Sequence, residues 1–518
     1  MKNIRFYKAF SLLFAGAFMT GIVGCSDFLE EQDPSNLTPE SYYTIPDHAE
    51  AALAAVYADT RFIGNDGGIF SSTWQFLEAP TGTSTTETAQ NSDLNNLYGL
   101  IYDGRTQHLI NYWNGLYRVI ANANLVLDKV PGITPMDENQ KKKVLGEARF
   151  LRAWAYFYLV RLWGDVPLIT LPQTAASEDF KPAPASKETV YDLIVEDLKT
   201  AEAAGFPWMD VSGRATLAAT KTLMAQVYLT MAGFPLSKGT SHYQLAAEKS
   251  GEVIAYSKAN PLSLNLFPDY ANLHDEKLDN RVEHIFMLQY NVVVAGNPMG
   301  NMFPNFKPVT FAGPSGTGST VPTQSFYKSY EAGDLRTVDQ KGFFYTTYFT
   351  NGSGARFDLG APYIFKHFNQ TANGSEGVPG TRNNNLNVPL IRFAEVLLIY
   401  AEAQNELSGP NDLAYESMKR IRDRAKLTTP AMGTYTKDTF RDAVLRERWH
   451  ELCYEQITWF DMLRLRKVYN ELTNGFDEFV GHINQSSKQA LQAKHLLMPY
   501  PLPEMQNNPN LQPQNPGY

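Results

Sequence analysis

The sequence HELCYE at residues 450–455 carries the first histidine and the glutamate of a zinc-hydrolase motif. A zinc hydrolase of the HExxH type needs two histidines four positions apart on one helix, with the glutamate as general base. Tyr454 stands where the second histidine would be, and none of the nine histidines has another four positions away. The sequence therefore excludes this zinc site.

Other catalytic signatures are missing or incomplete. The glycine-rich stretch GPSGTGST at residues 313–320 lacks the lysine of a P-loop, and no G-x-S-x-G motif of a serine hydrolase occurs. A glycoside hydrolase needs only two carboxylates at a suitable separation, and the chain has 54 acidic residues. Glycoside hydrolysis therefore stays open at this point.

A third kind of chemistry, lipid attachment, is indicated at Cys25. A positive start with Lys2, Arg5 and Lys8 precedes the apolar run FSLLFAGAFMTGIVG, which is the pattern of an export signal. The tetrapeptide IVGC is similar to the lipobox of bacterial lipoproteins, where the cysteine is lipidated and becomes the mature N-terminus. We expect residues 1–24 to be a lipoprotein signal peptide and Cys25 the membrane anchor, because several acyl chains hold a protein stably on a bilayer. The alternative is a plain signal peptide with an incidental cysteine.

Composition limits the possible partners. The 518-residue chain has a formal charge of −9, and removing Lys2, Arg5 and Lys8 with the signal makes it −12. Such an acidic protein lacks the positive surface that binds phosphate backbones, so we expect no nucleic-acid partner.

Once Cys25 is lipidated, Cys453 remains alone, which excludes an intramolecular disulfide and a cysteine-based metal site. We expect no metal and no cofactor.

Helical periodicity dominates the chain outside two irregular regions. The clearest helix lies between Asp137, which forms a capping pair with Gln140, and Gly164, which is followed by Pro167. Other segments predicted to be helical are 48–61, 108–130, 187–204, 215–232, 242–257, 391–408, 412–426 and 437–468. Two pairs, 217–258 and 391–425, alternate small and large residues as tetratricopeptide hairpins do. Such hairpins bury their faces by stacking, so at least three are expected.

The two irregular regions, 62–107 and 259–390, are rich in Gly, Asn, Pro, Ser and Thr. Irregular segments of this length are usually functional or disordered. Their aromatic residues favour function, because disordered segments are poor in aromatics.

Five blocks of the chain resemble the SusD/RagB family of nutrient-binding lipoproteins from Bacteroidota. The block GEARFLRAWAYFYLVRLWGDVPLI is similar to the central signature of the family. The mature start CSDFLEEQDPSNLTPESYY, the helix WNGLYRVIANANLVLDKV, the late block RERWHELCYEQITWFDMLRLRK and the ending LLMPYPLPEMQNNPNLQPQNPGY follow the family in the same order. The resemblance spans residues 25–518.

This resemblance implies a mainly α fold with about four tetratricopeptide-like hairpins and an irregular, loop-rich subdomain. It implies one SusD-like domain over residues 25–518, with a helical scaffold at 40–258 and 388–518 and a loop-rich insertion at 259–387. It further implies a non-catalytic lipoprotein exposed on the cell outer membrane, which binds an oligosaccharide or polysaccharide. The implied partner is a SusC-like TonB-dependent transporter, over which the lipoprotein sits as a lid.

The ligand-binding loops of the family vary too much to transfer residues, so we choose the site by chemistry. Sugars present an apolar face of C–H groups and a rim of hydroxyls, which fits exposed aromatic rings beside amides. The predicted rings are Trp74, Tyr98, Tyr102 and Phe303, and the predicted hydroxyl partners are Asn95, Asn96 and Asn301. Alanine at Trp74 or Tyr98 should then weaken polysaccharide binding at an unchanged melting temperature. For each ring, packing within its loop is the alternative, whereas Trp113 lies at helical spacing and is expected in the core.

Two other functions remain as alternatives. One is a helical polysaccharide hydrolase or lyase, and the other is a tetratricopeptide adaptor that binds a peptide. The charged residues of the two conserved-looking helical blocks are expected to form buried ion pairs, since buried charges need partners. These residues are Glu147, Arg149, Arg152, Glu455, Asp461 and Arg464.

Overall fold

Helices make up most of the part of the chain that the computed structural model describes, residues 42–65, 73–87, 91–174, 177, 180–303, 318–349, 356–368 and 384–518. Residues 45–518 belong to one compact unit, and the few described residues before Ile45 belong to another. The α-helices are α1 Pro46–Asp59, α2 Phe62–Asn65, α3 Gln75–Glu78, α4 Ser92–Tyr98, α5 Gln107–Lys129, α6 Glu138–Trp163, α7 Lys187–Glu202, α8 Leu217–Ala232, α9 Thr240–Ala259, α10 Gln324–Lys328, α11 Phe393–Ser408, α12 Asp412–Arg424, α13 Lys437–Glu451, α14 Thr458–Leu465 and α15 Leu502–Asn507. The predicted signal peptide and Cys25 lie outside the described residues. Within the described ranges no helix is both long and apolar enough to cross a membrane.

Helix α6 begins and ends where the sequence predicts. The Asp137 carboxylate accepts hydrogen bonds from the backbone N–H groups of Asn139 and Gln140, both at 3.0 Å. Gly164 ends the helix with φ of 75°, a conformation that glycine adopts without a Cβ clash. This helix packs against α5 on one side and α7 on the other.

Successive helices form the predicted hairpins. Helix α8 packs against α9, α9 against α11, and α11 against both α12 and α13. Between α11 and α12, Gly409 ends the first helix with φ of 87°, and the Asn411 side chain accepts a hydrogen bond from Ala414 N–H at 2.8 Å. The mainly α fold with tetratricopeptide-like hairpins is confirmed.

The prediction of one continuous helix over residues 437–468 is wrong. The chain forms α13 and α14, and between them Tyr454 and Gln456 have left-handed φ values of 60° and 61°. Lys366 Nζ donates to the carbonyl oxygens of Glu451 at 2.7 Å and Cys453 at 2.9 Å. Arg392 Nη2 also donates to the Glu451 carbonyl, at 2.9 Å, so two cations from distant segments supply hydrogen bonds to the carbonyls where α13 ends.

Short antiparallel strand pairs connect the two irregular regions and close other loops of the chain. The strands are β1 Ser84–Thr85, β2 Val166–Pro167, β3 Pro184–Ala185, β4 His284–Leu288, β5 Val321–Pro322, β6 Phe344–Phe349, β7 Arg356–Ile364, β8 Val388–Arg392, β9 Lys467–Asn470 and β10 Gly475–Glu478. Strand β1 pairs with β5, which joins the first irregular region to the insertion, and β4 pairs with β8 at the two ends of the insertion. Strands β6 and β7 form a hairpin inside it. Its small core is aromatic, with Val321, Tyr345, Leu359, Tyr363, Phe365 and Phe368.

The C-terminal tail is fixed to helix α6. Asn515 Nδ2 donates to the carbonyl oxygens of Trp163 at 3.1 Å and Met498 at 2.7 Å. The Gln514 side chain exchanges two hydrogen bonds with the backbone of Tyr500. The tail therefore supplies partners for carbonyls that the end of a helix would otherwise leave open.

Candidate functional site

The loop that carries Trp74 is anchored on the turn between α13 and α14. Glu78 Oε1 accepts a hydrogen bond from Gln456 N–H at 2.5 Å, and Gln456 Nε2 donates to the Trp74 carbonyl at 3.4 Å. Burial raises the pKa of Glu78 to about 7. Tyr454 Oη donates to the Thr83 carbonyl at 3.1 Å, so the scaffold fixes both ends of this loop.

Two of the predicted sugar-binding rings, Trp74 and Phe303, contact each other inside the protein. Their centroids are 5.2 Å apart in an edge-to-face arrangement, and His367 packs against both rings. Trp74 is 1% exposed and Phe303 is 3% exposed. The sequence placed both residues in irregular regions, but the prediction that their rings are exposed is wrong.

The tyrosines are buried as well, and they lie in different places. Tyr98 Oη donates to the Ser319 carbonyl and to Thr320 Oγ1, each at 3.3 Å, and so supports the segment before β5. Tyr102 stacks on Tyr518 of the C-terminal tail, with the two ring centroids 6.2 Å apart. Burial raises the pKa of Tyr98 to about 12. The expected exposure of both rings is thus corrected, because Tyr98 packs against the insertion and Tyr102 against the C-terminal tail.

The predicted amides remain closer to the surface. Asn95 and Asn96 are half-buried on α4, whose N-terminus is capped by the Asn91 side chain accepting from Leu94 N–H at 3.0 Å. Asn301 lies in a one-turn 3-10 helix, Met299–Asn301, and its side chain is outside the described part of the chain. Asn95 and Asn96 are therefore the accessible members of the predicted site.

A polar rim lies beside the segment 318–322, where the first irregular region pairs with the insertion. We use this name for the half-buried residues Thr85, Thr86 and Glu87. Tyr363 Oη donates to Glu87 Oε1 at 2.6 Å, and Glu87 N–H donates to the Gly318 carbonyl at 2.8 Å. These contacts fix the rim to the insertion, so its carboxylate keeps a defined position.

The most exposed aromatic rings of the described chain are two phenylalanines that the sequence analysis missed. Phe180 is 51% exposed and Phe234 is 47% exposed. Phe180 lines a cavity of about 830 Å³ with Trp113, Tyr117 and Glu504, and Phe234 lines one of about 640 Å³. Each phenylalanine stands in a short polar or proline-containing stretch of sequence, SEDFKP or AGFPLSK, and that position is the signal that could have identified them.

The structure gives His450 a packing role. It is buried, its Nε2 lies 3.0 Å from Ser329 Oγ, and its ring centroid is 4.2 Å from that of Tyr330. Burial and nearby arginines hold the pKa of His450 well below its usual range. Among the described residues, no three His, Cys, Asp or Glu side chains are grouped to hold a metal ion.

The six charged residues that were predicted to form ion pairs in the two helical blocks all do so. Arg152 Nε and Arg149 Nη1 each donate to the Asp197 carboxylate, at 2.8 and 2.9 Å. The remaining pairs are Glu147 with Arg214, Glu455 with Arg392, Asp461 with Arg448, and Arg464 with Glu402. The two large cavities are lined by one carboxylate each, Asp165 and Glu504. Neither cavity has the carboxylate pair of a glycoside hydrolase.

Comparison with known proteins identifies the family. Residues 269–518 match the SusD family profile, and residues 27–229 match a profile described as starch-binding and associating with the outer membrane. A SusD-like protein from Formosa agariphila is 29% identical over 99% of this chain and 100% of that protein.

Solved structures agree with these sequence matches. A laminarin-binding SusD-like protein is 25% identical, covers 92% of this chain and 100% of its own, and superposes with a TM-score of 0.69. A SusD superfamily protein from Parabacteroides distasonis is 33% identical, covers 93% of this chain and 100% of its own, and superposes with a TM-score of 0.84. The chain is therefore a member of the SusD family.

Proposed function

We propose that this protein is a non-catalytic, surface-exposed lipoprotein of the outer membrane that binds an oligosaccharide or polysaccharide. It passes the ligand to a SusC-like TonB-dependent transporter, and lipidated Cys25 anchors it. The observation that carries the proposal is full-length similarity to a family that includes a laminarin-binding protein. The Glu87 carboxylate of the polar rim and the half-buried amides Asn95 and Asn96 support it, since such groups suit sugar hydroxyls.

Laminarin oligosaccharides are the first ligands to test, by isothermal titration calorimetry and by product analysis. We expect Asn96→Ala to weaken binding about fivefold, because one net hydrogen bond is worth about 1 kcal/mol. The matched control is Asn139→Ala, an exposed amide in the first turn of α6, which should bind as the wild type does. Release of shorter sugars would contradict a non-catalytic role, and binding of peptides without sugars would favour the adaptor.

Anchoring is tested separately in cells. We expect Cys25→Ala to abolish recovery of the protein in the outer-membrane fraction, since the acyl chains supply the binding energy. Cys453→Ala is the control, because Cys453 is buried beside Tyr330 and its replacement should leave the membrane-bound fraction unchanged. Loss of anchoring should also lower uptake of labelled oligosaccharide through the transporter. Full membrane association of Cys25→Ala would refute the anchor.

A further inference from the structure

The cavity beside Phe234 has an unusual charge for this acidic protein. It lies between the C-terminal end of α6, the turn after α8, the end of α14 and the C-terminal tail, and no residue of the polar rim lines it. Five cations line it, namely Arg161, Lys187, Arg464, Arg466 and Lys494, with Asp165 as the lining carboxylate. Since the whole chain carries a net charge of −9, this positive excess is local.

Arg161 enters the cavity between two aromatic rings. Its guanidinium carbon lies 3.6 Å from the Phe157 centroid and 3.4 Å from the Phe460 centroid, and Nε donates to the Phe157 carbonyl at 2.9 Å. Within the described part of the chain, no carboxylate oxygen lies within 4 Å of this guanidinium. Loss of hydration lowers the pKa of Arg161 to about 10, so it remains a cation at pH 7.

Arg466 is a second cation without a carboxylate partner in the described chain. Its guanidinium lies 5.2 Å from the centroid of the Phe234 ring, and its Nη1 is buried without a hydrogen-bond partner. Burial lowers the pKa of Arg466. Its neighbour Arg464 is different, because Glu402 and Asp461 neutralise it. A guanidinium that lines a cavity and has no carboxylate partner can pair with a bound anion.

We propose that this cavity binds a saccharide that carries an oxyanion, either the carboxylate of a uronic acid or a sulfate ester. Arg466 and Arg161 pair with the anionic group, since guanidinium forks match carboxylate and sulfate oxygens. The exposed face of Phe234 takes the C–H face of the sugar ring. This second site is separate from the polar rim and does not depend on which glycan binds there.

The test uses methyl glucuronide, glucose 6-sulfate, neutral methyl glucoside and inorganic sulfate, each titrated calorimetrically into the purified protein at low ionic strength. We expect saturable binding of the two acidic sugars, none of the glucoside, and weaker binding of inorganic sulfate. Arg466→Gln should weaken binding of the acidic sugars at least tenfold. The control, Arg105→Gln, removes an arginine whose side chain is 76% exposed outside the cavity, and it should leave affinity unchanged.

A second variant distinguishes the contribution of the sugar ring to affinity from that of the anionic group. It tests the proposal even if Arg466→Gln fails to fold. Phe234→Ala should weaken the acidic sugars severalfold while leaving the affinity for inorganic sulfate unchanged. Absence of saturable binding by the wild type would overturn the proposal. Equal affinity for inorganic sulfate and the acidic sugars, or full sugar affinity in Phe234→Ala, would overturn the assignment to a saccharide.

Discussion

Replacement of Arg392 by methionine is expected to lower the free energy of unfolding by about 3–5 kcal/mol. The Arg392 guanidinium is buried and contacts the carboxylates of Glu283 at 2.5 Å, Glu451 at 3.1 Å and Glu455 at 2.7 Å. Methionine has a similar length, so little packing is lost. The cost arises because the three carboxylates lose a shared cation in a site that water does not reach.

Urea denaturation followed by tryptophan fluorescence measures this effect. Arg105→Met is the control, because Arg105 is exposed and pairs at 3.5 Å with the exposed Asp103. A change within about 0.5 kcal/mol is expected there, as for most surface substitutions. If Arg392→Met lowered the free energy of unfolding as little as the control does, Lys366 and Arg424 would be sufficient to neutralise these carboxylates.

The pH dependence of the same variant identifies the cause. Arg392, followed by Lys366, holds the pKa of Glu455 at about 2, below its ordinary value of 4.5. A lowered carboxyl pKa contributes stability that is present above pH 4.5 and is lost as the pH falls toward 2. Removing Arg392 removes much of this contribution. The difference in unfolding free energy between wild type and variant should therefore narrow as the pH falls from 4.5 toward 2.

The helical scaffold could be predicted from the sequence because local residues determine its ends. Asp137 and Gly164 delimit α6 through contacts within a few residues, and Asn411 begins α12 in the same way. The break between α13 and α14 depends instead on Lys366, which lies 85 residues before Glu451 in the chain. The sequence of residues 452–457 does not predict a contact with a cation so distant in the chain.

The same distinction explains why the predicted binding rings were assigned the wrong exposure. Trp74, Tyr98 and Phe303 lie in polar, irregular segments of the sequence. The amino-acid composition of such a segment does not distinguish an aromatic ring that stacks on sugar from one that packs into the protein. Their partners come from distant segments, as when Tyr98 bonds to Thr320 across 222 positions. Asn95 and Asn96 are half-buried on α4, and their contact with sugar hydroxyls stays a prediction.

Replacement of Trp74 by alanine is accordingly expected to destabilise the protein by about 3–5 kcal/mol, the usual cost of removing a buried aromatic ring. The indole contacts Phe303 and His367, and its loss leaves a cavity where α3 meets the insertion. This expectation reverses the one drawn from sequence, in which the melting temperature stayed unchanged. Urea denaturation and the melting temperature both measure the effect.

Two variants show whether burial of the Trp74 ring is the cause. Trp74→Phe keeps an aromatic ring against Phe303 and should cost less than half as much as Trp74→Ala. Phe234→Ala removes a ring that is 47% exposed and should change the unfolding free energy little. If Trp74→Ala instead kept full stability and lost only glycan affinity, the indole would have to turn outward in solution and bind sugar directly. Burial at 1% exposure, with two aromatic neighbours, favours the loss of stability.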